Sequence, residues 1–389
     1  MWIYLVILVF TLLGVFLFDL SKRKQGQKAF YNFILVCVVL ISSFAYHIGG
    51  DCANYQYFFE NITPKLTDLT FSYLSYNDRY QPGFLLFLSL CKSIIPSFYF
   101  FKFVYACLLN ITVFNFFSRY AKYPFLAVFF YIILEGFYFN FEILREGIAL
   151  TIFLWAYPFI AEKKWIRFYI LSIFAILFHI SAVIILFVPF LQLLKVGRLS
   201  TFLISIGIVV FTFIFSERLS PALANIMLFD DSIDSRYGQY LTSEQYGESR
   251  LSMSMLFSYI VNIFIPIVML YVLPSEKGEN RYYGIVQAMP ILIVFGTIIP
   301  ILFRFTNYFQ VFNIIFFIEV FEYFSTLIMR HKKNYIFVTI CVLYVGLSFY
   351  RNEIRSVDNG FRPIDRYYPY SSIITKQKYP IREAAINYL

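Results

Sequence analysis

Four places in the chain put charged or polar side chains inside or beside long apolar runs, where they could do chemistry. The first is the Gly-Gly-Asp motif at 49–51, which is followed by Asn54 and Tyr55. Two glycines let a chain turn sharply and approach a ligand closely. Asp51 could then act as a general base for a hydroxyl group or fix a partner arginine. The alternative is a helix C-cap at Gly49, with Asp51 simply solvated.

Two arginines are candidate anion-binding groups. Arg145 joins two apolar runs across almost no loop and is flanked by Glu142 and Glu146. Its planar guanidinium presents a fork of donors suited to phosphate oxygens, whereas the alternative is an internal salt bridge with one of the glutamates. Arg304 lies among aromatic residues, and Tyr308 follows it. We expect Arg304 to bind an anion rather than to form a structural ion pair.

The fourth place is the Phe-His-Ile-Ser-Ala motif at 178–182, in the middle of an apolar run. A lone histidine on an apolar face is more often a hydrogen-bonded core residue than a catalyst, and this alternative stays open. As an imidazole, His179 could shuttle a proton near neutral pH, with Ser181 close by. The histidines are scattered without metal-binding spacing, and no glycine-rich phosphate loop is present. The sequence therefore predicts no metal site, no cofactor and no nucleotide-driven pump.

The composition indicates which solvent surrounds the elements that carry these residues. Hydrophobic residues make up 60% of the 389 residues and charged residues 14%. In soluble domains about a quarter of the residues are charged. Most of the surface of this protein must therefore face lipid. The net charge of +9 comes from basic clusters between apolar runs, the pattern of cytoplasmic loops, and we expect no nucleic-acid partner. The five cysteines form no framework and do not fix the redox compartment.

Apolar runs long enough to cross a bilayer recur along the chain. They lie at 2–19, 30–48, 82–96, 98–118, 124–141, 146–161, 166–194, 199–216, 252–273, 283–302, 305–329 and 335–350. We predict an all-α, polytopic membrane bundle of about 11–13 segments, including re-entrant or interfacial helices. The first run is expected to be a retained helix, since no small-residue cleavage site follows it. A single transmembrane domain would span 1–350, and a polar extension 351–389.

Basic clusters fix the predicted orientation, because cytoplasmic loops are enriched in lysine and arginine. The two longer polar loops, 49–80 and 217–250, lack this enrichment and are placed outside. For the basic clusters and the two outer loops all to lie on their predicted sides, the run 166–194 must turn back near its middle. The same condition requires 82–118 to cross an odd number of times, with 82–96 as the re-entrant or interfacial part. All four candidate places then lie at the external face, and 351–389 is an external or interfacial segment.

The order of these motifs resembles the EpsG-like family of polysaccharide polymerases, which are relatives in role of the Wzy-type O-antigen polymerases. The family's Gly-Asp-Tyr motif matches 49–55, and its Pro-Gly-Phe motif matches 82–84. An Arg-x-x-Ile-Ala element matches 145–149, and Phe-His-x-Ser-Ala is intact at 178–182. A later Arg-x-x-x-Tyr-Phe motif matches 304–309. The resemblance rests on this order as much as on any single motif.

Two departures from the family pattern accompany the resemblance. The family often has an arginine shortly before the Gly-Asp pair, where this chain has Ala45 and His47. Gln81 replaces the acidic residue before the Pro-Gly-Phe motif. A charge that relatives use at either position must come from another residue here, with His47, Glu60 and Asp78 as candidates.

The resemblance implies an enzyme that joins repeat units carried on undecaprenyl pyrophosphate, outside the bacterial cytoplasmic membrane, to build O-antigen, capsule or exopolysaccharide. The implied catalytic residues are Asp51, Arg145, His179 and Arg304. The implied substrate-binding residues are Gly49, Gly50, Asn54, Tyr55, Glu142, Glu146, Ser181 and Tyr308. Arg145 and Arg304 would converge on the lipid diphosphate, and either Asp51 or His179 would be the base.

Two other functions compete with polymerisation. A flippase or transporter for the same lipid-linked glycan would also need buried cations and a cavity. It would be expected to show internal duplication with paired broken helices, which the sequence lacks. A ligase or single-sugar transferase with a lipid donor is the second alternative. The expected partners are the lipid-linked oligosaccharide and membrane lipid, with a regulator of chain length as a further candidate.

Overall fold

The computed structural model describes residues 2–75, 80–193, 282–298, 302–328, 333–355 and 360–388, with 199–200, 203–204, 206–207, 210 and 268 between them. Helices form the architecture, and the predicted all-α class is confirmed. The α-helices in these ranges are α1 (Trp2–Gly14), α2 (Gln27–Ser43), α3 (Cys52–Asn61), α4 (Phe71–Ser75), α5 (Pro82–Ile94), α6 (Phe98–Tyr120), α7 (Pro124–Tyr131), α8 (Phe137–Phe141), α9 (Leu144–Ala161), α10 (Trp165–Ile176), α11 (Val188–Leu193), α12 (Tyr283–Ile298), α13 (Phe303–Asn307), α14 (Gln310–Ile328), α15 (Lys333–Phe349) and α16 (Pro380–Tyr388).

Seven helical stretches in the described ranges are long and apolar enough to cross a bilayer, and the chain is a multi-pass membrane protein. They are Trp2–Leu20, Gln27–Phe44, Phe98–Tyr120, Pro124–Phe141, Leu144–Ala161, Gln310–Ile328 and Asn334–Ile354. Four shorter apolar helices accompany them, at Pro82–Ile94, Trp165–Ile176, Ile180–Leu191 and Tyr283–Ile293. The helix α5 has 13 residues and is about 20 Å long, which is too short to cross a core of about 30 Å.

The chain divides into two compact units. The first unit comprises Met1–Phe159, Lys164–Ile180 and Ile314–Leu389, and the second comprises Ile160–Lys163 and Ser181–Asn313. In the first unit α2 packs along α6, and α1 packs against α7. In the second unit α11 and α13 both pack against α12. The candidate site residues are thereby distributed over both units.

The C-terminal segment, residues 360–388, packs on the stretch of chain that follows α2. The Tyr46 N–H donates to the Ser371 carbonyl at 2.8 Å, and the Ile373 N–H donates to the Phe44 carbonyl at 2.9 Å. The two stretches run antiparallel at this pairing. The backbone groups left unpaired at the end of α2 are therefore satisfied by residues from the far end of the sequence.

Apolar contacts support the same pairing. Tyr367 lies in a small buried cluster with Ala45, Ile48 and Phe141. Arg382 is fully buried and donates to two carbonyl groups of the C-terminal segment itself. The segment is thus fixed by burial as well as by hydrogen bonds.

Helical structure is interrupted where the sequence places the candidate motifs. The helix α2 ends at Ser43, and the spans Pro124–Phe141 and Leu144–Ala161 are separated by only 142–143. The break at 177–179 lies where we predicted a turn, and the reversal of the chain there stays a prediction. Of the two predicted outer loops, 49–80 contains α3 and α4, whereas 217–250 lies outside the described residues.

Candidate functional site

The turn at 49–51 depends on glycine. Gly49 has a φ of +91°, a left-handed conformation that residues with a Cβ rarely adopt. A Cβ added at Gly49 would lie 2.3 Å from the Phe141 carbonyl oxygen. The Gly49 N–H donates to the Arg366 carbonyl at 3.1 Å. The alternative of a C-cap at Gly49 is therefore wrong, because α2 has already ended at Ser43.

Asp51 is exposed at the start of α3. Its side chain makes no capping hydrogen bond, and no described residue forms a hydrogen bond or an ion pair with its carboxylate. Asn54 is also exposed, whereas Tyr55 is buried. The charge of Asp51 acts on both Glu142 and Arg145, so it lies at the edge of their cluster. Asp51 is a solvent-accessible carboxylate beside a cation.

Arg145 has neutral and aromatic partners. Its Nε–H donates to Tyr55 Oη at 3.4 Å, and its Nη1–H donates to Gln81 Oε1 at 3.1 Å. The guanidinium carbon lies 4.8 Å from the centre of the Tyr80 ring, a cation–π contact. Among the described residues, no carboxylate lies within 4.0 Å of this guanidinium. A partly buried cation held in this way is suited to an anionic ligand.

Neither glutamate that flanks this arginine pairs with it. Glu142 Oε2 accepts a hydrogen bond from Arg366 Nη1 at 3.1 Å, and Glu142 Oε1 accepts one from the Gly50 N–H at 3.3 Å. Glu146 Oε1 lies 3.5 Å from His179 Nε2. The alternative of an internal salt bridge is therefore excluded, because each carboxylate has other partners.

The pair of Glu142 and Arg366 is shielded from water. Burial raises the pKa of the Glu142 carboxyl above its usual range, although the Arg366 guanidinium and the Gly50 N–H oppose this shift. Burial acts to lower the pKa of Arg366, but Tyr367 and Glu142 outweigh it and the pKa is raised. The two charges therefore stabilise each other in a place where either alone would be costly.

Glu146 and His179 form a second buried contact. Their side chains are 2% and 4% exposed. Glu146 is in the first turn of α9, directly after Arg145, and His179 follows the end of α10. The contact joins two motifs that are 33 positions apart in the sequence (146 and 179), and it links the start of α9 to the residue that follows α10.

The Pro-Gly-Phe motif at 82–84 packs against the end of α10. The Gly83 N–H donates to the Leu177 carbonyl at 2.8 Å, and a Cβ added at Gly83 would lie 2.7 Å from that oxygen. Only glycine allows this close approach. Gln81 is the residue directly before this motif, and its side-chain oxygen accepts a hydrogen bond from Arg145.

In the second unit, Ser181 and Tyr308 come together. Their hydroxyl oxygens are 3.0 Å apart, and either can be the donor. Arg304 is partly buried on α13. The convergence of Arg145 and Arg304 on one ligand stays a prediction from the sequence.

Arg366 is a residue of this site that the sequence motifs did not identify. It pairs with Glu142 across 224 positions of sequence, from a stretch that composition alone describes as a polar extension. The charged residues followed by three tyrosines at 362–370 are a signal that could have identified it, because aromatic residues are seldom needed in a solvated tail.

The first unit thus places Arg145 near the exposed carboxylate of Asp51, and Glu142 and Arg366 hold the glycine turn that precedes this carboxylate. The cation can bind an anionic group, and the carboxylate can accept a proton. Within the described ranges, no group of three or more His, Cys, Asp or Glu side chains is placed to hold a metal ion.

The profile of the EpsG family matches residues 28–372, nearly the whole chain. Searches of curated proteins and of solved structures find no match. The EpsG family is of the polysaccharide-polymerase type, as the order of motifs predicted. The chain therefore belongs to the EpsG family and is a membrane protein of polysaccharide biosynthesis.

Proposed function

We propose that this protein is a polymerase that joins oligosaccharide repeat units carried on undecaprenyl pyrophosphate. A hydroxyl group of one unit attacks the anomeric carbon of the glycan on a second lipid carrier. A glycosidic bond forms while the bond between that carbon and the diphosphate oxygen breaks. The lipid diphosphate leaves with the electron pair, and the hydroxyl proton passes to a carboxylate. The lipid diphosphate bond supplies the free energy, so no nucleotide is consumed.

The observation that carries the proposal is the environment of Arg145. A partly buried guanidinium without a carboxylate within 4.0 Å, among the described residues, is costly unless an anion binds to it. Tyr55 and Gln81 orient its donors, and the ring of Tyr80 supports its face. A fork of donors fixed in this way can bind diphosphate oxygens and stabilise the charge that develops on the leaving group.

We assign the role of general base to Asp51. Its carboxylate is exposed, has no hydrogen-bond partner among the described residues and is near Arg145. An acceptor hydroxyl beside a donor bound at Arg145 would therefore be within its reach. His179 is buried against Glu146, and we assign it the role of holding the start of α9.

We place this site at the external face of the bacterial cytoplasmic membrane. The basic cluster at 22–28 joins the first two spans, and the turn at 49–51 follows the second of them, at the opposite end. Because basic loops stay in the cytoplasm, the turn would face outwards. Reporter fusions at Lys24 and Ser232 should report opposite sides of the membrane.

Reconstitution in proteoliposomes with a lipid-linked repeat unit tests the proposal. The wild type should produce a ladder of elongated glycans. Arg145→Gln should reduce elongation by about a hundredfold or more, as the loss of one preorganised donor group does in other enzymes. Arg145→Lys should retain part of the activity, because it keeps the charge without the fork. Arg119→Gln is the matched control, since Arg119 is an exposed arginine at the end of α6.

Other results would replace the proposal. Glycan that crosses the bilayer without elongation would indicate a transporter. Addition of a single unit, or transfer to a different acceptor, would indicate a ligase or transferase. An undiminished ladder in Arg145→Gln would remove the role assigned to this arginine.

A further inference from the structure

Arg366 contacts the turn at 49–51 in two ways. Its carbonyl accepts the Gly49 N–H at 3.1 Å. Its side chain donates from Nη1 to Glu142 Oε2 at 3.1 Å, while the other oxygen of Glu142 accepts the Gly50 N–H at 3.3 Å. One residue of the C-terminal segment thus holds the turn directly through its backbone and indirectly through a carboxylate.

Glu142 brings a useful contact and an unfavourable charge. The residue is 5% exposed, and its carboxylate satisfies the buried side of the turn. A carboxylate in such a place would repel a diphosphate bound nearby, because like charges interact strongly where water is excluded. Asp51, the next residue after the turn glycines, adds a second negative charge. The turn therefore needs a cation besides the one that binds the donor.

We propose that Arg366 is a positioning residue of this site, which neutralises Glu142 so that the carboxylate holds the turn without repelling the anionic lipid donor. The inference rests on the proposed function. It gives the two arginines of the first unit different tasks. Arg145 has neutral partners in Tyr55 and Gln81 and uses its remaining donors for the ligand, whereas Arg366 is paired with a carboxylate.

The surroundings of the pair make pH a useful probe. The titratable groups that face the pair from neighbouring elements are Asp51, Tyr138, Glu353 and Tyr367. Two of these groups are acidic, so removal of the guanidinium leaves Glu142 among like charges and favours its protonation. Once protonated, Glu142 no longer repels an anion.

The test compares Arg366→Gln, Glu142→Gln and the double variant in the elongation assay, with the concentration of lipid-linked repeat unit varied. Arg366→Gln should raise KM for this donor by about tenfold, the size of one partly screened like-charge repulsion, with a smaller change in kcat. The double variant should return to within about threefold of the wild type, because a glutamine at 142 still accepts from Gly50 without a charge. Arg366→Lys should have a KM close to that of the wild type, because lysine keeps the positive charge.

The pH dependence supplies a second readout. Burial raises the pKa of Glu142, so in Arg366→Gln the KM for the donor should fall as the pH is lowered and Glu142 takes up a proton. The double variant lacks this carboxyl and should lose that dependence. A role limited to anchoring the C-terminal segment would instead make the double variant at least as impaired as Arg366→Gln at every pH, and this result would overturn the inference.

The same experiment separates the inference from the proposed function. A wild-type protein that forms no ladder removes the proposed function, and the inference with it. A ladder that Arg145→Gln abolishes and that Arg366→Gln leaves with an unchanged KM overturns the inference alone. Thermal unfolding in detergent shows whether each variant is folded, so that lost activity is not mistaken for a change in binding.

Discussion

Glu146 Oε1 lies 3.5 Å from His179 Nε2, and both side chains are almost completely buried in the first unit. The glutamate is the residue directly after Arg145. The histidine therefore contacts the helix turn that carries Arg145, the arginine to which we assign the binding of the lipid donor. His179 is a catalytic candidate in the sequence, but its main effect can be structural, through this contact with Glu146.

The first prediction concerns this contact. Glu146→Ala should lower the free energy of unfolding by about 3 kcal/mol, because it removes one side chain of a buried pair. Thermal unfolding in detergent measures the change. Glu60→Gln alters an exposed glutamate and should have little effect. His179→Gln should also destabilise the protein but retain elongation within about tenfold at a temperature where it is folded. Complete loss of elongation in that folded variant would identify His179 as the base instead.

The second prediction concerns Asp51. Asp51→Asn should reduce elongation by about a hundredfold or more, the usual contribution of a general base. Its free energy of unfolding should change by no more than about 0.5 kcal/mol, because the side chain is exposed and has no hydrogen-bond partner among the described residues. Asp68→Asn, at another exposed carboxylate of the same loop, should leave both quantities unchanged. Equal activity of the two variants would contradict the role of Asp51.

The third prediction uses two glycines with left-handed backbone. Gly49 (φ +91°) faces the Phe141 carbonyl, whereas Gly360 (φ +78°) has no atom within 4 Å of an added Cβ. Gly360→Ala should cost about 1 kcal/mol of unfolding free energy from backbone strain alone. Gly49→Ala adds a steric clash and should cost at least about 2 kcal/mol more, with loss of elongation. Similar midpoints of unfolding for the two variants would show that the turn can relax.

The fourth prediction concerns pH. His47 lies next to Glu383 of the C-terminal segment, with 3.9 Å between His47 Nδ1 and Glu383 Oε2. Burial lowers the pKa of His47 below 6.5, more than Glu383 raises it. The folded protein therefore binds fewer protons at this residue than the unfolded chain does. The contribution of His47 to stability is present above pH 6.5 and is lost as the pH falls through and below that value.

Unfolding midpoints in detergent at several pH values show whether the stability falls or rises as the pH is lowered. The wild type should lose stability relative to His47→Asn as the pH is lowered through this window, since asparagine does not titrate there. A difference between the two proteins that is independent of pH would contradict the prediction.

The sequence predicts the spans of this fold well because a single physical requirement determines them. A helix that crosses lipid must be apolar over its whole length, so the run at 124–141 coincides with an observed span. The run at 82–96 was expected to be re-entrant or interfacial, because Pro82 and Pro96 bound it and Lys92 lies between them. The helix α5 is too short to cross the bilayer, and its re-entrant or interfacial position stays a prediction. The end of α2 was placed too late, because the helix ends at Ser43 and not at 48. Ala45 and Ile48 are apolar because they are buried against Tyr367 of the C-terminal segment.

The candidate site was predictable only in part. The motifs at 49–51, 142–146 and 179 do meet in the first unit, because charged groups among apolar helices must find one another or water. Which partner each charge finds depends on tertiary packing. The sequence left two alternatives for Arg145, a salt bridge with Glu142 or Glu146 and the binding of an anionic ligand. The pairing of Glu142 with Arg366 is evidence against the salt bridge. No local pattern connects two residues that far apart.

The pairing of Tyr46 with Ser371 also constrains how the protein is threaded through its bilayer. Two backbone groups that share a hydrogen bond cannot lie on opposite sides of a membrane. The polypeptide must therefore traverse the lipid an even number of times between them. During synthesis, the hydrogen bond between Tyr46 and Ser371 cannot form until the ribosome has made nearly all of the remaining chain. Residue 371 must also have reached the same side of the membrane as residue 46.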